Sequence, residues 1–131
     1  MNTLNATIKS IQTVDNLNIV AFTSHEQTLK MMSLDLTENI QVDTLVNLHF
    51  KPTTVSIAKN ITGELSIGNQ LAVKILSLEI GELLSVLHLG FYDYTLESII
   101  TTSSLKRMDL KVGDNVTALI KSSDLSIKEV L

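Results

Sequence analysis

Cysteine and tryptophan are absent from this 131-residue chain, proline occurs once, and aromatic residues make up only 4% of it. Without cysteine there is no disulfide framework and no thiolate metal site, so the sequence suits a reducing compartment. Basic residues are also scarce: ten Lys and Arg stand against fourteen Asp and Glu, for a formal charge of -4. That balance lacks the positive surface that duplex nucleic acid requires, so we expect no nucleic-acid partner.

Long apolar runs are missing as well. The longest uncharged apolar stretch, Leu83 to Tyr92, is about half of the roughly 20 residues that a membrane-spanning helix needs. The first residues, MNTLNATIKS, show no basic segment followed by an apolar stretch and a small-residue cleavage site. We therefore expect a cytoplasmic protein with no membrane partner.

Signatures of catalysis are absent too. The sequence contains no phosphate-binding glycine loop, no nucleophile elbow and no Cys/His pair, so it offers no basis for an enzyme. Its three histidines, His25, His49 and His88, have neither a partner four residues away nor a nearby pair of carboxylates. We predict no cofactor and no metal ion bound by the protein.

An internal duplication is present instead. Asn2 to Ile11 (NTLNATIKSI) resembles Asn69 to Leu78 (NQLAVKILSL), which lies 67 residues later. Val46 to Ile57 (VNLHFKPTTVSI) resembles Val116 to Ile127 (VTALIKSSDLSI), which lies 70 residues later. The first half is therefore about three residues shorter, between Thr28 and Ile40. A long period present only twice indicates a duplicated small domain, and we assign residues 1–62 to a diverged first repeat and 63–131 to the second.

Apolar residues alternate with a period of two in both halves, which predicts strands. The segment Leu83 to Leu89 is apolar on both faces, so we expect one face to contact the other half or another subunit. In Ser103 to Leu110 (SSLKRMDL), Leu105 and Met108 stand at helical spacing behind a capping hydroxyl, which predicts a short helix. The fold class is predicted as all-β: two tandem OB-like five-stranded barrels, each with a short helix.

The stretch Ile99 to Ile127 (IITTSSLKRMDLKVGDNVTALIKSSDLSI) is similar to the signature half of the Mop domain, and the match is specific from Ile100 to Ser122. That domain is a small OB-type barrel found in molbindins, in molybdate-responsive regulators and in accessory domains of some transporter ATPases. Leu65 to Leu71 (LSIGNQL) resembles the segment that opens its repeat, with Ser66, Asn69 and Leu71 retained. The first half resembles the family only weakly, so the whole chain resembles a tandem di-Mop protein of the TOBE-like group.

The resemblance implies a site for molybdate or tungstate at the junctions between barrels, built from hydroxyls, backbone N–H groups and a lysine. The positions that match the family's ligand residues are Ser66, Thr101, Ser104, Lys121 and Ser122. Gly68 stands where the family often has arginine, which removes a charged contact. In the first half Lys51 is kept as a weaker candidate, but Pro52 replaces the serine that would follow it. Taken singly, a lysine at a strand end and serines in a turn are ordinary surface residues.

Two functions from different classes follow. The first is a protein that binds molybdate or tungstate for intracellular storage, homeostasis or sensing. The alternative is a ligand-poor interaction or regulatory module of a molybdate transport or regulation system. Because each half is small and one strand is apolar on both faces, we expect a homo-oligomer, with a trimer as the first choice and a dimer as the second.

Overall fold

Buried and exposed residues alternate along the strands, as the period-two pattern predicted. The computed structural model describes residues 1–131 and confirms the all-β prediction. The first half contains strands β1 (Asn2–Val14), β2 (Leu17–Ser24), β3 (Gln27–Ser33), β4 (Leu45–Phe50) and β5 (Ser56–Ala58). The second half contains β6 (Asn69–Ile80), β7 (Leu84–Phe91), β8 (Tyr94–Thr101), helix α1 (Thr102–Arg107), β9 (Asn115–Ile120) and β10 (Ser126–Val130).

The two halves exchange their last strands. The first sheet has the order β10-β4-β1-β2-β3 and the second sheet has the order β5-β9-β6-β7-β8. The second half thus completes the first sheet with β10, and the first half completes the second sheet with β5. The chain crosses between sheets through two short 3-10 turns, Pro52–Thr54 before β5 and Ser122–Asp124 before β10.

Equivalent contacts in the two sheets confirm both offsets of the duplication. A bulge interrupts β1 between Ile8 and Ser10, and another interrupts β6 between Ile75 and Ser77. At these bulges the Asp43 N–H donates to the Ile8 carbonyl and the Gly113 N–H donates to the Ile75 carbonyl, both at 2.8 Å. Asp43 and Gly113 both have positive φ angles, 70° and 94°, and glycine adopts that conformation most readily.

The helix predicted over Ser103 to Leu110 is present as α1, which begins behind Thr101 and buries Leu105. The prediction of one short helix in each half is wrong for the first half, where residues 34–44 contain none. The three residues by which the first half is shorter are absent from this segment, so too little chain remains for a helix. Asn18 instead donates to the carbonyls of Ser33 and Leu34, at 3.3 and 3.5 Å. No helix of the protein is long and apolar enough to span a membrane.

Strand β7 buries Leu87, Leu89 and Phe91 in the core, as expected for its inward face. At its start Leu83 and Leu84 are 79% and 58% exposed. Nothing within the chain covers these two leucines, so the expected contact with another subunit stays a prediction.

Two buried asparagines join the sheets. The Asn69 side chain accepts from the Lys30 N–H at 2.7 Å and donates to the Lys30 carbonyl at 2.9 Å. Its equivalent in the duplication, Asn2, makes the same pair of bonds with Glu97, at 2.7 and 2.8 Å. Lys30 lies on edge strand β3 and Glu97 on edge strand β8. Each carboxamide therefore forms with its edge strand the two hydrogen bonds that the backbone of a further strand would form.

Replacing Asn69 should therefore cost more stability than an ordinary polar change. Asn69→Leu keeps the volume but leaves the Lys30 N–H and carbonyl without partners, and we expect the free energy of unfolding to fall by about 2–4 kcal/mol. Asn47→Ala is the control, because its carboxamide bonds Asn5 at the surface, and it should cost less than about 1 kcal/mol. Equal losses for the two variants in urea denaturation would contradict this role of Asn69.

Candidate functional site

Three of the five predicted ligand residues lie together. Ser66, Lys121 and Ser122 line one cavity of about 160 Å³, here called the Lys121 cavity. Its remaining walls are Met32, Ile67 and Ser123. Met32 belongs to β3 and its neighbours to the second repeat, so both halves of the chain form this cavity.

Strand pairing brings these residues together. Ile120, the last residue of β9, pairs with Asn69, the first residue of β6. Lys121 therefore follows one strand end while Ser66 precedes its neighbour by three residues. Lys121 is extended, with φ −66° and ψ 145°, and the Ser122–Asp124 turn starts directly behind it. Leu125, 2% exposed, then anchors the chain in the core.

The polar groups of the Lys121 cavity can serve a ligand. The side chains of Ser66, Lys121, Ser122 and Ser123 form no hydrogen bond or ion pair within the protein, and no carboxylate lines the cavity. Serine hydroxyls donate readily and an ammonium group only donates. The arrangement therefore suits an anion that accepts hydrogen bonds, and it has no acidic group that would repel one.

Thr101 and Ser104 lie together at the start of α1. The Thr101 hydroxyl accepts from the Ser104 N–H at 3.2 Å and caps the helix. The Ser104 hydroxyl oxygen accepts from the Thr101 hydroxyl at 3.0 Å and from the Arg107 guanidinium at 3.1 Å. Because that oxygen accepts twice, its own proton is free to donate outward.

These two groups are at opposite ends of β6. Lys121 directly follows Ile120, which pairs with Asn69 at the start of β6. Thr101 pairs with Leu84 of β7, whose neighbour Ser85 pairs with Ile80 at the end of β6. Between those ends the strand covers roughly 36 Å of contour at about 3.3 Å per residue. A bulge bends it, but a tetrahedral oxyanion is only a few ångströms across. Neither Thr101 nor Ser104 lines the Lys121 cavity, so within one chain the five residues do not share one cavity.

Lys51 lies in a different cavity, of about 290 Å³, which it shares with His49, Thr54 and Ser126. The Asp124 side chain lines the same cavity. Its carboxylate opposes anion binding there, and Pro52 provides no N–H donor behind Lys51. Lys51 is thus the weaker candidate on electrostatic grounds as well.

Sequence reasoning did not single out Met32, Ile67 or Arg107. Met32 and Ile67 carry no chemical signature, and only the pairing of strands places them at the cavity. Arg107 lies three residues after Ser104, and this helical spacing could have indicated the contact. Gly68 is sterically open, since a Cβ there would meet nothing within 4 Å.

Comparison with known proteins supports the sequence interpretation in part. Residues 65–127 match the family of the TOBE domain, whereas the first half lies outside that match. No curated protein sequence matches the chain significantly. Among solved structures, it is similar to the cytoplasmic molybdate-binding protein ModG in a form with molybdate bound. The TM-score is 0.87 and the identity 18%, over 96% of this chain and 94% of that one, so the two proteins share a fold.

The cap at α1 leads to a stability prediction. Thr101→Val keeps the branched shape but removes the oxygen that accepts from Ser104, so we expect the free energy of unfolding to fall by about 1 kcal/mol. Thr101→Ser should restore it. Ser103→Ala is the matched control, since Ser103 is exposed in the same turn. Urea denaturation without added anion tests this, and an unchanged midpoint for Thr101→Val would refute the capping role.

Proposed function

We propose that this protein binds molybdate or tungstate, and that Ser66, Lys121 and Ser122 supply part of the site. The observation that carries the proposal is a cavity with one lysine, three serines and no carboxylate, formed where two sheets meet. The fold shared with ModG, itself a molybdate-binding protein, supports it. A net charge of -4 does not oppose it, because local donors decide the binding of a small ion.

The chemistry of the donors favours this class of ligand. A site of one lysine and three serines without a carboxylate suits an oxyanion without protons, and it is less suited to hydrogen phosphate, whose proton only a serine oxygen could accept. Sulfate carries the same charge and is also deprotonated, so size must exclude it. We therefore expect the walls of the Lys121 cavity, and not its hydroxyls, to discriminate against sulfate.

A complete site requires a second copy of the chain. The Lys121 cavity and the Thr101–Ser104 group are too far apart in one chain, yet both carry free donors. Association of copies would place the helix end of one chain against the Lys121 cavity of another. The exposed Leu83 and Leu84 offer apolar surface for such a homo-oligomer, with a trimer as the first choice and a dimer as the second.

In this proposal the two repeats, residues 1–62 and 63–131, are tandem OB-like barrels, and the first repeat's own site is degenerate. The protein acts in the cytoplasm, where ModG is found, and it stores, buffers or senses the oxyanion without catalysing a reaction.

A second candidate function is an interaction module that regulates a molybdate transport or regulation system. The specific observation in its favour is a large cavity at the first sheet that none of the predicted ligand residues lines, at the position equivalent to that of α1 in the second sheet. Titration with molybdate, and with sulfate as the control, separates the two candidates. Absence of molybdate binding would leave the interaction module.

Lys121 should contribute more to binding than its duplicated equivalent Lys51. Lys121→Ala removes a charge-assisted hydrogen bond of about 1.5–3 kcal/mol, and molybdate affinity should fall about tenfold to hundredfold. Lys51→Ala should change it little, because Asp124 lies in the Lys51 cavity. Isothermal calorimetry measures both. Equal effects of the two substitutions would contradict the assignment of the site to the second repeat.

Mixing two defective chains tests whether sites form between copies. Lys121→Ala and Ser104→Ala should each abolish or weaken binding alone. In mixed oligomers about a quarter of the interfaces would combine an intact Lys121 with an intact Ser104 from the other chain. High-affinity molybdate binding should return to that extent after co-refolding. No recovery, or a monomeric mass by light scattering, would rule out sites shared between chains.

A further inference from the structure

Because the two sheets are equivalent, the large cavity at the first sheet can be compared with the same place in the second sheet. In the second sheet, three features close the gap between edge strands β8 and β5. Helix α1 covers it with Leu105, which is 5% exposed, and with Met108. Lys59, just after β5, donates to the carbonyls of Met108 and Asp109, at 3.0 and 2.9 Å.

The third feature is a buried hydrogen bond between the two edges. The Ser98 hydroxyl on β8 donates to the Val55 carbonyl at 2.6 Å. Together these contacts connect β8 and α1 with the residues that flank β5 across the second gap.

None of these three features exists in the first sheet. The residue equivalent to Ser98 is Met31, which has no hydroxyl, and the residue equivalent to Lys59 is Glu129. The segment 34–44 forms no helix. Between edge strands β3 and β10 the structure instead has a cavity of about 400 Å³, here called the open seam.

The apolar lining of the open seam resembles what α1 contacts in the second half. It consists of Met31, Met32, Leu36, Ile40, Leu125, Ile127 and Val130. Since the equivalent space in the second sheet holds a helical turn with two apolar residues three positions apart, the open seam has the location for such a turn. The cavity is large enough for two side chains of that kind.

The charged residues that line the open seam favour a basic occupant. Asp35 and Glu129 line the open seam, against the single basic residue Lys128. Where Lys59 donates to the end of α1, Glu129 can only accept, so it favours a basic side chain on the occupant. Helix α1 itself carries Lys106 and Arg107 between Leu105 and Met108.

We propose that the open seam is a docking site for a short amphipathic helical segment of a partner protein. That segment has two apolar residues three positions apart and a Lys or Arg in the same turn. The open seam adjoins the Lys121 cavity, with which it shares Met32 and Ser123, but binding there requires no molybdate.

A stapled helical peptide with the sequence TTSSLKRMDL, that of residues 101–110, is a suitable probe. Titrated into the isotope-labelled full chain to about 1 mM, it should saturably shift the amide resonances of residues 35–40 and 127–130, which line the open seam and not the Lys121 cavity. The control peptide carries serine in place of its leucines and methionine and should shift none of them. Failure of the first peptide to bind, or equal shifts with the control, would overturn the proposal.

Two single-residue variants test the charge assignment. Glu129→Lys should weaken binding of the peptide about two- to fivefold, the range of one exposed ion pair. Lys128→Glu, at the adjacent exposed position, should strengthen it or leave it unchanged. The opposite order would refute the role of Glu129. Shifts of residues 35–40 and 127–130 on dilution of the free protein would assign the open seam to a second copy and also overturn the proposal.

Discussion

Reciprocal exchange of the final strand is the constraint on which the rest of this structure depends. Without β10, strand β4 would be an open edge of the first sheet, and without β5 the same would hold for β9 in the second sheet. Unpaired edges are a liability, and small sheets need all their strands to cover a core. The carboxamides of Asn2 and Asn69 add cross-links at the opposite edges. Neither half can therefore complete its hydrogen bonds alone.

The candidate anion site follows from this exchange. Where the chain leaves β9 to join β10, the residues from Lys121 to Asp124 belong to neither sheet. The hydroxyls of Ser122 and Ser123 and the Lys121 ammonium group form no hydrogen bond within the protein and remain available to a ligand. The same crossing brings the turn against β3, which is how Met32 comes to line the Lys121 cavity. The topology thus determines which donors converge.

Much of the architecture could be predicted from the sequence, because duplication and alternation are local or linear patterns. The offsets of 67 and 70 residues, the strands and helix α1 all follow from such patterns. The strand exchange could not be predicted in this way, since Ser126–Val130 has the same pattern whichever sheet it joins. The alignment of Asn2 with Asn69 did contain a signal, because two asparagines at equivalent strand starts are unusual for positions that a sheet buries.

The candidate site was predictable only as a set of residues and not as an arrangement. Family resemblance selected Ser66, Thr101, Ser104, Lys121 and Ser122, but β6 separates two of them from the other three. A motif written along the chain carries no information on whether its residues meet within one copy. The absence of a helix from the first half could likewise not be predicted from the sequence, because a deletion of three residues does not show whether a helix is shortened or lost.

The connection between β5 and β6, residues 59–68, has a kinetic consequence for the exchanged strands. Two separate halves would have to find each other in solution before either could pair its last strand, so their assembly would depend on protein concentration. A short covalent tether replaces that encounter by an intramolecular one, at an effective concentration on the order of millimolar. The chain therefore resembles a domain-swapped dimer whose partners cannot diffuse apart, and either half can diverge in sequence while the other stays attached to pair with it.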